Sequence, residues 1–224
     1  MFEFFRWIAL ITGWPMQLVL FKRKTYYEDK RVQGRFVKGG ALVISNHFSV
    51  FDFMMCLFLF PFRKLHVVFW SQNGKRHSPY IRFGMRFFGG IESNRDAMAM
   101  RFIDDSVRVL EKGKLVQIFP EAHITDDGNM HEFKPSYLLI ALRAGVPILP
   151  VMLDGNYGLF RRAHVMIGKP IDPWTLCTSD DPTREELAEM NRIIRERCLA
   201  LKAELDRRIA EESSPKRKKK EKHQ

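Results

Sequence analysis

Short apolar runs bounded by glycine, proline or polar residues recur through the middle of the chain and predict buried strands. The runs are ALVIS (41–45), LHVVFW (65–70), KLVQIF (114–119), PILPVML (147–153) and AHVMIG (163–168), and GGIESNR (89–95) adds a glycine turn and a short strand edge. Segments with helical periodicity lie between these runs. The alternation of strands and helices predicts a single α/β domain, with a largely parallel or mixed central sheet flanked by helices.

The clearest of the predicted helices covers residues 96–112. Four apolar residues recur there at spacings of three and four, namely Met100, Ile103, Val107 and Leu110, and Gly113 is expected to end the helix. Three further helical segments are FDFMMCLFLF, which ends at Pro61, YIRFGMRFF within 74–88, and SYLLIALRAG, which stops at Gly145. Each predicted helix therefore connects two of the predicted strands.

Residues 183–212 predict one long amphipathic helix after the last strand. Thr183 and Glu186 stand in a capping-box arrangement at its start. Its apolar residues recur at helical spacing and so share one face, as Leu187, Met190, Ile194, Leu201, Leu205 and Ile209. The remaining residues, 213–224, read SSPKRKKKEKHQ, and we expect this polar, basic tail to be disordered.

Residues 1–30 are predicted to form a membrane-associating helical segment. The apolar stretch 2–21 contains two charged residues and Pro15, and three basic residues follow it. A transmembrane helix needs about 20 predominantly apolar residues, so this stretch is marginal as a span. We expect two short helical pieces that lie in the membrane interface, with aromatic side chains at headgroup depth. The alternative is a domain helix that covers the core.

Composition places the chain among globular proteins with an anionic partner. Its 224 residues are 46% hydrophobic and 12% aromatic, which fits one domain at 31–212 with short attachments. The net charge of +11 indicates a nucleic acid, an anionic membrane surface or a phosphorylated substrate as partner. The three cysteines form no Cys-x-x-Cys pattern, so neither a disulfide framework nor a cysteine zinc site is predicted, and a reducing, cytosolic location fits.

The stretch SNHFSVFD (45–52) contains the strongest candidate chemistry. On one helix, His47 and Asp52 would point about 140° apart. If the strand ends at Ser45 and Asp52 lies in the first turn of the next helix, the carboxylate can reach back to the imidazole. It would then fix one ring nitrogen and leave the other as a base for the proton of an alcohol. The alternative is a satisfied loop histidine, followed by a carboxylate that the helix macrodipole favours.

Four blocks, taken in order, resemble the glycerolipid acyltransferase family typified by 1-acylglycerol-3-phosphate acyltransferases. NHFSVFD (46–52) resembles its His-x4-Asp block, GGIESNR (89–95) its second, FPEAHIT (119–125) its third and VPILPV (146–151) its fourth, all within a motif core at 40–170. The resemblance implies that 31–212 is an acyltransferase domain. It further implies transfer of a fatty acyl group from acyl-CoA or an acyl carrier protein thioester to a lysophospholipid hydroxyl in phospholipid biosynthesis, without cofactor, metal or covalent acyl-enzyme.

The resemblance also implies roles for single residues. His47 would be the general base and Asp52 its orienting partner, while the substrate-binding residues would include Asn46, Arg95, Phe119, Pro120 and Glu121. The guanidinium of Arg95 offers a planar fork to phosphate oxygens. Glu121 follows a strand, where α/β sheets place ligands, and its carboxylate should bind a hydroxyl or orient a cation.

The third block departs from the family pattern. Ala122, His123 and Ile124 stand where the family has Gly-Thr-Arg, so the arginine expected at the acceptor phosphate is absent. We expect His123 or Lys134 to supply part of the missing anion contact. Otherwise the acceptor headgroup is not a bare phosphate monoester. The resemblance implies 1-acylglycerol-3-phosphate as the preferred acceptor, and the alternatives are glycerol 3-phosphate, another lysophospholipid or another lipid headgroup.

Three rival interpretations use other residues. A metal site is conceivable from His123, Asp126, Asp127, His131 and Glu132, but its spacing matches no zinc pattern and DDGN is a turn sequence. A serine hydrolase would need a Gly-x-Ser-x-Gly elbow, which the sequence lacks. A non-enzymatic binding module would use the basic tail.

The tail has six basic residues and one acidic residue and so contributes +5 of the +11 charge, which leaves the rest of the chain only moderately basic. We therefore expect no nucleic-acid partner and instead expect the tail to adhere to anionic lipid. The predicted location is monotopic, on the cytosolic face of a membrane.

Overall fold

The computed structural model describes residues 2–70, 79–93, 101–125, 127–158 and 160–214. In chain order its elements are α1 (Phe2–Phe21), β1 (Lys24–Tyr27), β2 (Ala41–Ile44), α2 (Asp52–Leu57), β3 (Leu65–Trp70), α3 (Pro79–Phe87), β4 (Ile91–Ser93), α4 (Arg101–Glu111), β5 (Leu115–Ile118), α5 (Ser136–Ala144), β6 (Ile148–Leu153), β7 (His164–Ile167) and α6 (Arg184–Ser213). A short 3-10 turn, Pro173–Leu176, precedes α6.

Within the described residues, seven strands form one mixed sheet in the order β1-β7-β6-β2-β5-β3-β4. The strands from β6 to β4 in this order are mutually parallel, β7 runs antiparallel to β6, and β1 runs parallel to β7. The carboxyl ends of β2, β5 and β6 therefore lie side by side at one edge of the sheet. In open α/β sheets this edge holds the ligand.

Helices cover both faces of the sheet, because alternate residues of each strand point to opposite sides. Leu42 and Ile44 of β2 pack in the core on the side of α4, α5 and α6. Ala41 and Val43 pack on the other side, with residues of α1 and α2. The predicted α/β class with a mixed, helix-flanked sheet is confirmed.

The strands predicted from apolar runs all occur, as β2 to β7. The predicted capping box of α6 is also confirmed, since Glu186 N donates to Thr183 Oγ1 at 3.2 Å and Thr183 N donates to Glu186 Oε2 at 2.9 Å. The helix predicted at 96–112 is confirmed over α4, and residues 96–100 lie outside the described residues. The sequence pattern did not predict β1, whose residues are only half-buried.

The prediction of two short helical pieces at 2–21 is wrong, because α1 is a single helix with Pro15 inside it. A proline removes one backbone N–H bond, and long helices accommodate this loss when the rest of the helix is packed. The inner face of α1 contacts the core through Leu10 and Phe21, with Trp7 and Trp14 packed against it. This face fits the domain-helix alternative.

The outer face of α1 is apolar and exposed. Its exposed side chains are Phe4, Ile8, Ile11, Leu18 and Val19. Nevertheless, no helix in the described part of the chain combines the length and the apolar character needed to cross a membrane.

A buried arginine ties α1 to the sheet. Arg6 is 2% exposed, and its Nη2 donates to the carbonyl oxygen of Leu65 at 2.9 Å. Its Nη1 lies 3.5 Å from Nε2 of His66, whose Nδ1 lies 2.8 Å from the carbonyl oxygen of Gly89. Nδ1 must donate to this carbonyl, so Nε2 accepts from Arg6. Burial, together with the charge of Arg6, lowers the pKa of His66 to about 4, which keeps this imidazole neutral.

Burial also lowers the pKa of Arg6 to about 10, so the guanidinium stays charged at neutral pH. Gly89 has a φ of +77°, and a Cβ there would lie 2.3 Å from Nη1 of Arg6. The second motif block therefore begins at a glycine that both the backbone conformation and the arginine require.

Candidate active site

The turn between β2 and α2 holds His47 against Asp52. β2 ends at Ile44 and α2 begins at Asp52, so His47 lies in the connecting turn, as the sequence predicted. Nδ1 of His47 lies 3.0 Å from Oδ2 of Asp52. The same oxygen accepts the backbone N–H groups of Phe48 at 2.7 Å and Ser49 at 2.8 Å. The turn thus wraps around one carboxylate oxygen and presents the imidazole beside it.

This geometry fixes the tautomer of the imidazole. Asp52 is completely buried, and an ionised carboxylate can only accept hydrogen bonds, so the proton lies on Nδ1 of His47. Among the described residues, Nε2 has no hydrogen-bond partner, and the side chain of His47 is 18% exposed. The lone pair of Nε2 is therefore open to an incoming hydroxyl, which is the arrangement that a general base needs.

Phe119 holds the imidazole from one side. It follows β5, and its ring stacks on His47 with centroids 4.0 Å apart and planes inclined by 17°. Contact with Phe119 on the ring face and with Asp52 on the ring edge leaves His47 little rotational freedom. Pro120 is buried next to Phe119, and its carbonyl oxygen accepts the backbone N–H of Lys134 at 2.8 Å.

Glu121 joins the His47 turn to a second loop. Its Oε1 accepts the backbone N–H of His47 at 3.2 Å, and its Oε2 accepts the backbone N–H of His131 at 2.7 Å. The side chain is almost fully buried, and burial raises the pKa of Glu121 although these two N–H groups oppose the shift. The structure shows a brace between two loops, and the acceptor-binding role of Glu121 stays a prediction.

The third motif block folds back onto the same turn. Thr125 donates to the carbonyl oxygen of His47 twice, from its backbone N at 2.9 Å and from Oγ1 at 3.2 Å. Between Glu121 and Thr125, Ala122 has a φ of +59°, in the left-handed region. Glycine adopts this conformation without strain, whereas alanine does not. The glycine of the family pattern at this position therefore has a conformational reason.

A cleft of about 610 Å³ opens beside the His47 turn. It is lined by Glu121, Ala122, His123, His131, Glu132 and Lys134. His123 and Lys134, predicted as anion contacts, are exposed on it, and the rings of His123 and His131 lie 5.2 Å apart. The sequence brought in His131 only through the rival metal site. Among the described residues, which omit Asp126, no group of three or more His, Cys, Asp or Glu side chains could hold a metal ion.

Asn46 and Arg95 differ from the other predicted substrate-binding residues. Asn46 is fully buried, and its amide spans the backbone of Leu153, with Nδ2 donating to the carbonyl oxygen at 2.9 Å and Oδ1 accepting the N–H at 2.8 Å. In this position the amide joins the carboxyl ends of β2 and β6 and has no surface open to a substrate. Arg95 lies outside the described residues. The substrate-binding roles of both residues stay predictions.

Sequence reasoning missed Tyr157, which contacts Asp52. Its hydroxyl donates to Oδ1 of Asp52 at 2.5 Å from the loop after β6. Burial, followed by the charge of Asp52, raises the pKa of Tyr157 far above its ordinary value, so the phenol stays protonated. The only signal in the sequence was its place in the loop after a predicted strand, PILPVML (147–153).

Comparisons with known proteins identify similar sequences and a similar fold. A family model described as Acyltransferase matches residues 22–154. The 1-acyl-sn-glycerol-3-phosphate acyltransferase of Limnanthes douglasii is 30% identical over 171 residues, which cover 67% of this chain and 58% of that protein. The 1-acyl-sn-glycerol-3-phosphate acyltransferase of Borreliella burgdorferi is 24% identical over 127 residues, which cover 55% of this chain and 49% of that protein. This chain thus spans about half the length of the curated relatives it matches.

A solved structure shares the fold. The crystal structure of the 1-acyl-sn-glycerophosphate (LPA) acyltransferase PlsC from Thermotoga maritima aligns with a TM-score of 0.57 at 21% sequence identity. The alignment covers 93% of this chain and 78% of that chain. The common architecture therefore extends beyond the residues that the family model matches.

Proposed function

Since this chain belongs to the Acyltransferase family, we propose that it transfers a fatty acyl group from acyl-CoA or acyl carrier protein to the hydroxyl of a lysophospholipid, with 1-acylglycerol-3-phosphate as the preferred acceptor. The observation that carries the proposal is the His47–Asp52 pair, with Nδ1 bonded to a buried carboxylate and Nε2 open. The names of the relatives support the acceptor.

In the proposed reaction, Nε2 of His47 takes the proton of the acceptor hydroxyl as the oxygen attacks the thioester carbonyl carbon. Asp52 stabilises the imidazolium that forms, because its anionic oxygen already bonds Nδ1–H. Collapse of the tetrahedral intermediate breaks the carbon–sulfur bond, and the imidazolium returns its proton to the thiolate. The products are an ester and a free thiol, and His47 is neutral again.

The test is an assay of the purified protein with radiolabelled acyl thioester and a panel of lysophospholipids and glycerol 3-phosphate, followed by identification of the product. We expect His47→Gln to abolish transfer. A folded, lipid-associated His47→Gln protein with full turnover would overturn the proposal. His66→Gln is the matched control, because His66 is also a hydrogen-bonded histidine, with Nδ1 2.8 Å from the carbonyl oxygen of Gly89, and among the described residues it contacts neither His47 nor the loop that carries Tyr157.

The acceptor headgroup is proposed to lie in the cleft beside His47. Ile124 cannot bind phosphate. The cleft is instead lined by Lys134, which is a cation, and by His123 and His131, whose ring N–H groups can donate to an anion. Glu132 opposes an anion in the same cleft. We therefore expect His123→Ala to raise KM for lysophosphatidate and Glu132→Ala to lower it. Unchanged rate and acceptor preference in His123→Ala would remove this residue from the proposal.

Membrane association through α1 is the remaining part of the proposal. Phe4 is 67% exposed and Ile11 66% exposed on its outer face, and exposed apolar helix faces of this kind bind the lipid interface. Liposome flotation tests it. We expect Ile11→Glu to weaken binding to all vesicles, and removal of residues 213–224 to weaken binding only to anionic vesicles. Equal flotation of the truncated and full chains on anionic vesicles would exclude the tail.

A further inference from the structure

The two oxygens of Asp52 have different partners. Oδ2 accepts from His47, Phe48 and Ser49. Oδ1 accepts from Tyr157, which is its only hydrogen-bond partner among the described residues. Because Asp52 is completely buried, water cannot replace a missing donor without a rearrangement of the turn. The hydroxyl of Tyr157 therefore decides whether this oxygen is satisfied.

The loop that carries Tyr157 is anchored close to the hydroxyl. Asp154 at its start bonds Nδ1 of His164 at 2.6 Å through Oδ2 and the backbone N–H of Asn156 at 3.0 Å through Oδ1. Gly155 has a φ of +70° and lies so near Phe48 that a Cβ would be 3.0 Å from the Cβ of Phe48. The position of Tyr157 is therefore fixed by the strand end, by β7 and by the His47 turn.

Aromatic contacts hold the ring of Tyr157. Phe21 packs edge-on at a centroid distance of 5.5 Å, and Phe51 does so at 6.3 Å. The other titratable groups near the contact are Cys56, whose pKa burial and the charge of Asp52 raise to about 12, and the carboxylate of Asp154. The charge of Arg23 acts in the opposite direction and lowers the pKa of Cys56. Among the described contacts, none of Cys56, Asp154 and Arg23 donates a hydrogen bond to Asp52, whereas His47 does.

We propose that Tyr157 is a positioning residue for the reaction: its hydroxyl holds Asp52 as an anion with Oδ2 turned towards His47, and so keeps His47 in the neutral, base-competent form. This inference rests on the proposed function. When His47 is protonated, the pair has no net charge. When His47 is neutral, the buried pair carries one negative charge and depends more strongly on the hydrogen bond from Tyr157.

Removal of the hydroxyl therefore disfavours the neutral imidazole. In Tyr157→Phe we expect kcat to fall by about tenfold or more, as for the loss of a hydrogen bond to a charged group. The acidic limb of the kcat/KM profile should move to higher pH by roughly half a unit. KM for the acceptor and for the thioester should stay unchanged, because the hydroxyl donates its proton to Asp52 and not to a substrate in this proposal.

Tyr137→Phe is the matched control. Tyr137 is fully buried, and its hydroxyl, like that of Tyr157, donates to a side-chain oxygen, here Oδ1 of Asn191 at 2.9 Å. Among the described residues, Asn191 is not a hydrogen-bond partner of Asp52. A general loss of stability would affect both variants, whereas only Tyr157→Phe should move the pH profile. Should Tyr157→Phe fail to fold, 3-fluorotyrosine at position 157, a stronger donor of nearly the same shape, should move the acidic limb to lower pH. If the acidic limb of the kcat/KM profile stays at the wild-type pH in the 3-fluorotyrosine protein, the inference is overturned.

A second measurement separates this inference from the proposed function. NMR titration of ring-labelled histidines, with the His47 signal assigned from His47→Gln, follows its protonation without turnover. If the wild-type protein makes no acyl product, but His47 titrates at higher pH in Tyr157→Phe than in the wild type, the proposed function is contradicted and the positioning role is supported. If the wild type is active, but Tyr157→Phe changes neither the pH profile of kcat/KM nor the titration of His47, Tyr157 is a packing residue only and the inference fails.

Discussion

Replacing Ala122 by glycine should stabilise the protein, although glycine in most positions does the opposite. Ala122 has a φ of +59°, and an L-residue in the left-handed helical region costs about 1–2 kcal/mol. Glycine removes that cost but adds conformational entropy to the unfolded chain, worth roughly 0.5–1 kcal/mol. The methyl group of Ala122 is exposed, so its loss removes little buried surface. The net expectation for Ala122→Gly is a gain of about 0.5–1 kcal/mol in the free energy of unfolding.

Chemical denaturation monitored by circular dichroism measures this change, and the melting temperature should rise by roughly 1–4 °C in a chain of this size. Ala203→Gly provides the control, because Ala203 is also exposed but lies inside α6. It should lose about 0.5–1 kcal/mol, since helical alanine is unstrained. If both substitutions destabilise the protein equally, strain at position 122 is absent and the conformational reason given for the family's glycine is wrong.

Three further perturbations test the site and its supports. Asp52→Asn should lower kcat by about 10³–10⁴-fold in the acyltransfer assay with KM little changed, because an amide can hold the wrong imidazole tautomer; a loss below tenfold would contradict the role of Asp52. Glu121→Gln should lower the free energy of unfolding by about 1–3 kcal/mol, since its single acceptor oxygen cannot serve two backbone N–H groups, while exposed Glu132→Gln should stay within roughly 0.5 kcal/mol. Burial raises the pKa of Glu121 in the folded protein. The stability that this shift contributes is therefore complete below about pH 4 and declines as the pH rises through the pKa of the folded state. Glu121→Gln should remove this decline from a plot of the free energy of unfolding against pH. Arg6→Met should cost about 1–3 kcal/mol in urea unfolding, because the carbonyl of Leu65 loses its charged donor; an unchanged midpoint would show that α1 docks without it.

The central part of the fold follows from the sequence because its signals are local. The strand Ala41–Ile44 is buried on both faces and reads as an uninterrupted apolar run. The two capping-box residues of α6, Thr183 and Glu186, are only three positions apart. In contrast, β1 has no such apolar run. It forms because it pairs with β7, with Lys24 opposite His164 in a parallel register, and these two strands are far apart in the sequence.

The same distinction applies to the candidate site. His47 and Asp52 are five positions apart, so a turn of ordinary geometry brings them together and their contact could be predicted. Tyr157 meets Asp52 across 105 positions, and no periodicity or spacing encodes that encounter. The single helix α1 was missed for a related reason: Pro15 is a local break signal, whereas the packing of the inner face against the core is a property of the folded protein.

The amide of Asn46 clamps the ends of β2 and β6 through both backbone atoms of Leu153. The turn with His47 leaves one of these strand ends, and the loop with Tyr157 leaves the other. The two loops whose side chains contact Asp52 are therefore joined at their starts by one buried amide. Loop grafting aimed at a new acceptor should spare this junction and change only the outer wall around His123 and Lys134, whose side chains face solvent.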